Sequence, residues 1–379
     1  MSGVPKLSRR TRWAVPAGAL VITGAVMAGS LITVAQAAPV LPSRTPAQLL
    51  VAAAQDKGPA LYGSVLETAS LGLPSLPGTG SPTSIMSLLT GSHTIQVWYA
   101  GPEHYRLALP ASLSESDVVR NGSTAWLWQS TTNSVTEISI PAGQGKLKLK
   151  PKPVPVPALT PQQAASQALA AVGPTTVVSV TSNVVVAGQA AYELVLAPKD
   201  SRSLVGQIRI AIDGANGVPL RVQVFARGAA SPAISVGFTS VTFATPAPAD
   251  ISFTPPAGAK VTKENLGQDS TPKSKPTETG VTTIGSGWLA VLELPSSGLT
   301  PGQGPLPAKG TSGESAAALG ALLGSATVEH GAWGTGRLLR TSLISVLMTD
   351  SGRTFVGAVQ PSVLYAAASQ AASQAAATP

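Results

Sequence analysis

Between residues 176 and 243 the chain repeats one pattern, runs in which apolar residues recur at every second position. Ile208, Ile210 and Ile212 fall on one side of such a run and Arg209 on the other. Leu220, Val222 and Val224 oppose Arg221 and Gln223, and Tyr192, Leu194 and Leu196 oppose Glu193. A period of two places successive side chains on opposite faces of a strand, so each run offers one greasy face and one partly polar face. Turn-forming clusters at Ala187-Gly188, Pro198-Lys199-Asp200, residues 213–217 and residues 228–232 part the runs. That is the spacing of an antiparallel sheet with one face covered.

The same signals extend upstream. Residues 62–71, 93–100, 105–110, 123–129 and 134–140 read as strands, with turns at residues 101–104 and 131–133. Residues 111–117 (ASLSESD) read as a Ser-rich loop in which Glu115 and Asp117 are solvated. Thr45-Pro46 and Thr160-Pro161 each open a helix, to residues 54 and 172, with Thr as the N-cap and Pro in the first turn. Strands with two inserted helices make an α+β domain over residues 38–265.

The segment 146–157 (KLKLKPKPVPVP) carries too many prolines for an interior strand. Its four lysines suit either an anionic headgroup or acidic partner, or the protection of an exposed sheet edge. Residues 266–282 have a linker's composition. Residues 283–365 are expected to form a small C-terminal α+β domain. Its expected elements are a strand at 288–294, a helix at 314–323 and a hairpin of 337–348 with 354–359. An Ala-rich tail, 366–379, follows.

Residues 1–37 have the layout of an export signal. Lys6, Arg9, Arg10 and Arg12 form a basic head, residues 14–35 are uncharged, and Ala35-Gln36-Ala37 suits signal peptidase. The uncharged stretch is also about long enough to remain as an anchor, about 20 residues being the requirement. Cleavage lowers the net charge from +8 to +4 by removing those four cations, too mild an excess to imply a nucleic-acid partner. The expected location is therefore extracytoplasmic, as a monomer.

Composition excludes much chemistry. With 0 cysteines there are no disulfides, thiolate nucleophiles or Cys-ligated metals. His93, His104 and His330 are too scattered to share a metal. No nucleophile elbow, zinc-protease, P-loop or dinucleotide motif is present. The expectation is a protein without catalytic activity, metal or cofactor.

The apolar sheet face then becomes the functional question. It is either ordinary core or a cavity for an apolar ligand, and composition leaves both open. Within residues 95–138, Pro102, Tyr105-Arg106, Asn121-Gly122 and Trp126-Leu127-Trp128 occur in an order that resembles the LolA-type lipoprotein carriers. Residues 247–261 (APADISFTPPAGAKV) are similar to that family's closing strand. Residues 186–194 and 219–222 resemble the related MucB/RseB regulators. The resemblance spans about residues 45–262.

It implies an unclosed antiparallel β half-barrel covered by helices, enclosing a cavity for lipid or lipoprotein acyl chains. Each buried methylene contributes about 0.8 kcal/mol, so a sixteen-carbon chain offers on the order of 12 kcal/mol before ordering costs. The expected cavity lining is Trp126, Trp128, Ile208, Ile210, Ile212, Leu220, Val222 and Val224. Arg106 stands where relatives often carry an arginine that holds the lid; otherwise it is a solvent-facing strand charge. An ABC exporter or an anti-sigma factor is the implied protein partner, the latter if the chain acts as a MucB/RseB-like regulator of envelope stress.

Overall fold

The computed structural model describes residues 41–54, 58–72, 90–140, 160–170, 172–265, 281–295 and 324–376. Four expectations fall outside or mostly outside them: the export signal, the Lys/Pro segment, the linker and the helix at 314–323.

Two helices begin as the Thr-Pro signals predict, α1 at Pro46–Ala54 and α2 at Pro161–Ala170. Each is closed by a reciprocal capping box. Gln48 N–H donates to Thr45 Oγ1 (3.3 Å) while Thr45 N–H donates to Gln48 Oε1 (2.9 Å), and Thr160 and Gln163 repeat the arrangement. Helix α2 ends two residues earlier than expected.

Strands β1 (Leu61–Ser70), β2 (Thr90–Gly101), β3 (His104–Ala111), β4 (Ser114–Asn121), β5 (Thr124–Gln129) and β6 (Ser134–Ser139) follow one another as neighbours. A second meander comprises β7 (Thr176–Val186), β8 (Gln189–Pro198), β9 (Val205–Asp213), β10 (Pro219–Ala226) and β11 (Ile234–Thr242). The short helix α3 (Pro248–Ile251) leads to β12 (Lys260–Asn265). The 12 strands form one sheet in the order β12-β6-β5-β4-β3-β2-β1-β11-β10-β9-β8-β7. Because β12 and β7 end that order unpaired with each other, the sheet is unclosed. It is mixed rather than purely antiparallel, since β12 joins β6 in parallel.

Strand β1 is the seam between the meanders. At the bulge between Ser64 and Val65 the backbones come close: a Cβ on Gly63 would lie 2.1 Å from the Ser240 carbonyl oxygen. Only glycine fits there.

The expected loop at 111–117 is reduced to a turn at residues 112–113, residues 114–117 begin β4, and Asp117 is buried rather than solvated, only 1% exposed. The reason lies on the neighbouring strand, where Arg106 of β3 donates to Asp117 Oδ2 at 2.5 Å. A polar sequence can thus run through a sheet when its partner strand supplies the counter-charge.

The C-terminal residues build a second sheet. Its strands are β13 (Thr282–Ile284), β14 (Val291–Pro295), β15 (Thr327–Gly331), β16 (Gly334–Arg340), β17 (Ser345–Thr349) and β18 (Arg353–Gly357). They are ordered β13-β14-β18-β17-β16-β15. Helix α4 (Pro361–Ala376) lays Leu364, Ala367, Ala368 and Ala371 against Val291, Leu338, Leu347 and Phe355. The single strand expected at 337–348 is two strands, β16 and β17, parted at residues 341–344. There the Thr341 hydroxyl accepts from the Leu343 and Ile344 amides. The strand expected from Trp288 begins at Val291, after a single turn of 3₁₀-helix at Gly287–Leu289.

The two sheets share contacts. Leu204 N–H donates to the Ala358 carbonyl (2.9 Å), Gln360 N–H to that of Arg202 (2.8 Å), and the Trp288 indole to Thr176 Oγ1 (2.8 Å). Leu343 enters the core of the first sheet.

Candidate functional site

Following the paired residues across the first sheet shows which side chains share a face. One row runs Leu194, Ile210, Val222, Val236, Glu67, His93 across β8, β9, β10, β11, β1 and β2. Helices α1 and α2 cover its first half: Leu49, Ala53, Ala165 and Ala168 pack with Leu194, Ile210 and Val222 in one cluster. Their alanines let both helices sit close. Leu194, Leu196, Ile210 and Ile212 are 0% exposed, so the side chains over them leave no water-sized void. This part of the face is filled core.

A parallel row on the same face runs Val241, Gly63, Val97, Leu107, Val118, Leu127, Thr136 across β11, β1, β2, β3, β4, β5 and β6. Its exposure climbs along the row. Val97 is 4% exposed, Leu107 and Val118 are half-buried, and Leu127 is 42% exposed. Helix α1 packs on β7 and β8 and helix α2 on β10 and β11, leaving the β3–β5 part of the row beyond both. The face is thus mainly apolar, covered by helices at one end and half-open along this row at the other, with Glu67, His93 and Arg120 among its polar members.

The expected lining divides accordingly. Ile208, Ile210, Ile212, Val222 and Val224 come together under the helices. Leu220, beside a bulge in β10, leaves that group and packs with Val65, Val236 and Phe238 in the adjoining cluster. Trp126 and Trp128 lie on the opposite face. Trp126 pairs through Val119 and Arg106 to Trp98 and Tyr62, the alternate positions to Val97 and Gly63. Their rings meet Phe253, with centroids 6.0 and 6.5 Å away, next to α3, which packs on β2–β4. The residues that β5 contributes to the helix-side face are Ala125, Leu127 and Gln129, whose opposition to the tryptophans is visible in the alternation of β5 alone.

Arg106 is on the tryptophan face as well. It sits 5.4 Å over the Trp98 ring and reaches Asp117 and, at 3.7 Å, Glu115. Burial raises the Asp117 carboxyl from its ordinary 3.8 to about 6, with Arg106 opposing and Glu115 reinforcing the rise. Glu67 is 3% exposed, lies 3.0 Å from His93 Nδ1, and is likewise raised by burial, with His93 opposing. His104 and His330 pair instead with Asn121 and Thr335.

Both raised carboxyls bind protons in the folded chain at pH values where the unfolded chain has lost them. Stability is therefore expected to fall as pH rises from about 4 to about 6 and to level off above. Asp200, exposed and lowered to about 2 by Arg202, acts below that window. Thermal unfolding midpoints across pH 4–8 check this; Asp117→Asn is expected to remove much of the slope, and an upward slope through the window contradicts it.

No family profile matches the chain, and no curated protein matches its sequence. Solved structures are similar to it at low identity. The complex of Pseudomonas aeruginosa MucA and MucB shows 16% identity over 85% of this chain and 95% of that one, with a TM-score of 0.41. A LolA superfamily protein from Nitrosomonas europaea shows 12% over 56% and 99%, TM-score 0.22. A putative outer membrane lipoprotein-sorting protein domain from Vibrio parahaemolyticus shows 11% over 55% and 94%, TM-score 0.17. Among the described residues no helix is long and apolar enough to cross a membrane.

Proposed function

We propose that this chain is an extracytoplasmic lipid- or lipoprotein-binding carrier that takes acyl chains along the helix-covered face, without catalysis. One observation carries the reading: Val65, Ile95 and Val97 link the filled core under α1 and α2 to the half-open row Leu107, Val118 and Leu127, with the buried polar side chains Glu67 and Arg120 at its borders. An acyl chain laid on that row replaces water over Leu127, and displacement of the thin, alanine-faced helices would extend its bed toward Ile210. Burial at about 0.8 kcal/mol per methylene supplies the affinity, and return of the helices supplies release.

Purified protein, stripped of lipid, is titrated with dansyl-undecanoic acid. A saturable blue shift, reversed by palmitate, is the expected result; no shift, with no lipid co-purifying by native mass spectrometry, overturns the proposal. A regulatory reading is favoured by one separate feature, the edge strand β12, all six residues of which are exposed beside β6. It expects no acyl binding and instead capture of an anti-sigma-factor segment added at that edge.

A further inference from the structure

The half-open row does not stop at β6. Beyond Leu127 it passes through Thr136 of β6 to Thr262 of β12, and the adjacent row on the same face runs Leu109, Ser116, Gln129, Ser134, Lys260. Side chains along the face therefore change character in one direction. Val97 is 4% exposed, Leu107 and Val118 are half-buried, and Leu127 is 42% exposed. Past Leu127 come the hydroxyls of Thr136, Thr262 and Ser134, the exposed amide of Gln129 and the exposed ammonium of Lys260. From Val97 on β2 to Leu127 on β5 is three strand spacings, about 14 Å, the extended length of a chain of about twelve carbons.

Lys260 is the cation at the polar end, and it makes no ion pair among the described residues. Lys263, the other cation of β12, falls on the opposite face, where Glu137 lies 3.4 Å away. The acidic residue that β12 gives to the same face as Lys260 is Glu264, at the other end of the strand beside Ile138. The corner formed by Gln129, Ser134 and Lys260 thus carries a positive charge without a counter-charge. A lysine there keeps three N–H donors in water at the border of an apolar track.

We propose that the acyl ligand carries an anionic headgroup, a carboxylate or a phosphate, and binds head-outward. The charged group sits on Lys260 beside Gln129 and Ser134, and the tail runs inward across Leu127, Val118 and Leu107 to Val97. This rests on the acyl reading of the face and adds to it the direction and the charge of the ligand. A tail laid the other way sets its anion against buried Val97 and leaves its methylenes over Thr136 and Thr262, which costs at both ends. A cationic head meets Lys260 as a like charge. Because Lys260 is exposed, its charge contributes modestly: the methylenes supply the affinity, and the lysine supplies orientation and selectivity.

The test is equilibrium dialysis of the full chain against dodecanoate, dodecyl phosphate, dodecanol and dodecyltrimethylammonium, each below its micelle threshold. Both anions are expected to bind about fivefold more tightly than the cation, with dodecanol between, and the margin shrinks as salt is added. The tighter of the two anions assigns the headgroup to a carboxylate or a phosphate. Lys260→Gln is expected to remove the preference and Lys260→Glu to invert it, whereas Glu264→Gln keeps it; the thermal midpoint is the folding control for all three. Equal binding of the four amphiphiles overturns this proposal and leaves the acyl reading standing, while binding of none overturns both. A preference for anions that survives in Lys260→Gln also overturns it.

Discussion

Leu127→Glu is expected to weaken binding of dansyl-undecanoic acid by about a hundredfold while leaving the folded chain intact. The carboxylate would stand in the middle of the half-open row, flanked by Val118 and Thr136 on the adjacent strands. An acyl chain seated there must either strip water from a charge or forfeit the methylenes nearest it. Those alternatives together cost roughly 3 kcal/mol. Folding is spared because Leu127 is already 42% exposed, and surface substitutions of this kind usually change stability by less than about 0.5 kcal/mol. Trp126→Ala, on the opposite face, is the contrasting variant and leaves acyl affinity where it was. An affinity unaffected by Leu127→Glu removes the row from the acyl path.

The second large effect belongs to the covered half of the face. Ile210 is 0% exposed, lies between Leu194 and Val222 on neighbouring strands, and shares a cluster with Leu49 and Ala165 of the two helices. Truncation to alanine removes its transfer free energy and leaves a hole that its neighbours refill only in part. The expected loss is about 2–5 kcal/mol, read as a lower urea midpoint at unchanged slope. A loss below about 1 kcal/mol would mean that helices and sheet are loosely apposed there, as in a hollow bowl, and not packed solid.

Much of this architecture was legible in the residues themselves. Alternation and turn residues marked the strands of both meanders except β4, and Thr45-Pro46 and Thr160-Pro161 marked both helix starts, because caps and strand faces are local properties. What was not legible depended on partners distant in sequence. The stretch containing Glu115 and Asp117 has a loop's composition, and only Arg106 on the adjacent strand makes it a strand. The break between β16 and β17 has no Gly or Pro to announce it, since the Thr341 hydroxyl holds the turn.

The tryptophans show the limit most clearly. Alternation fixes that Trp126 and Leu127 oppose one another. Which of them shares a face with Ile210 depends on seven successive strand pairings and the bulges among them, at Ser64/Val65 for one. A single slipped register in that series exchanges the two faces. Size and hydrophobicity favoured the tryptophans as lining, whereas the leucine between them holds the position.

The seam at β1 bears on how the protein reaches this state. Its pairing with β11 joins residues 165 to 180 positions apart, Ala69 with Ile234 at one end and Tyr62 with Thr242 at the other. The central hydrogen-bond ladder therefore cannot form until almost two-thirds of the polypeptide has been synthesised, and high contact order of this kind slows folding. A nascent chain so delayed carries an unzipped β1 edge that needs protection from aggregation until the far meander arrives.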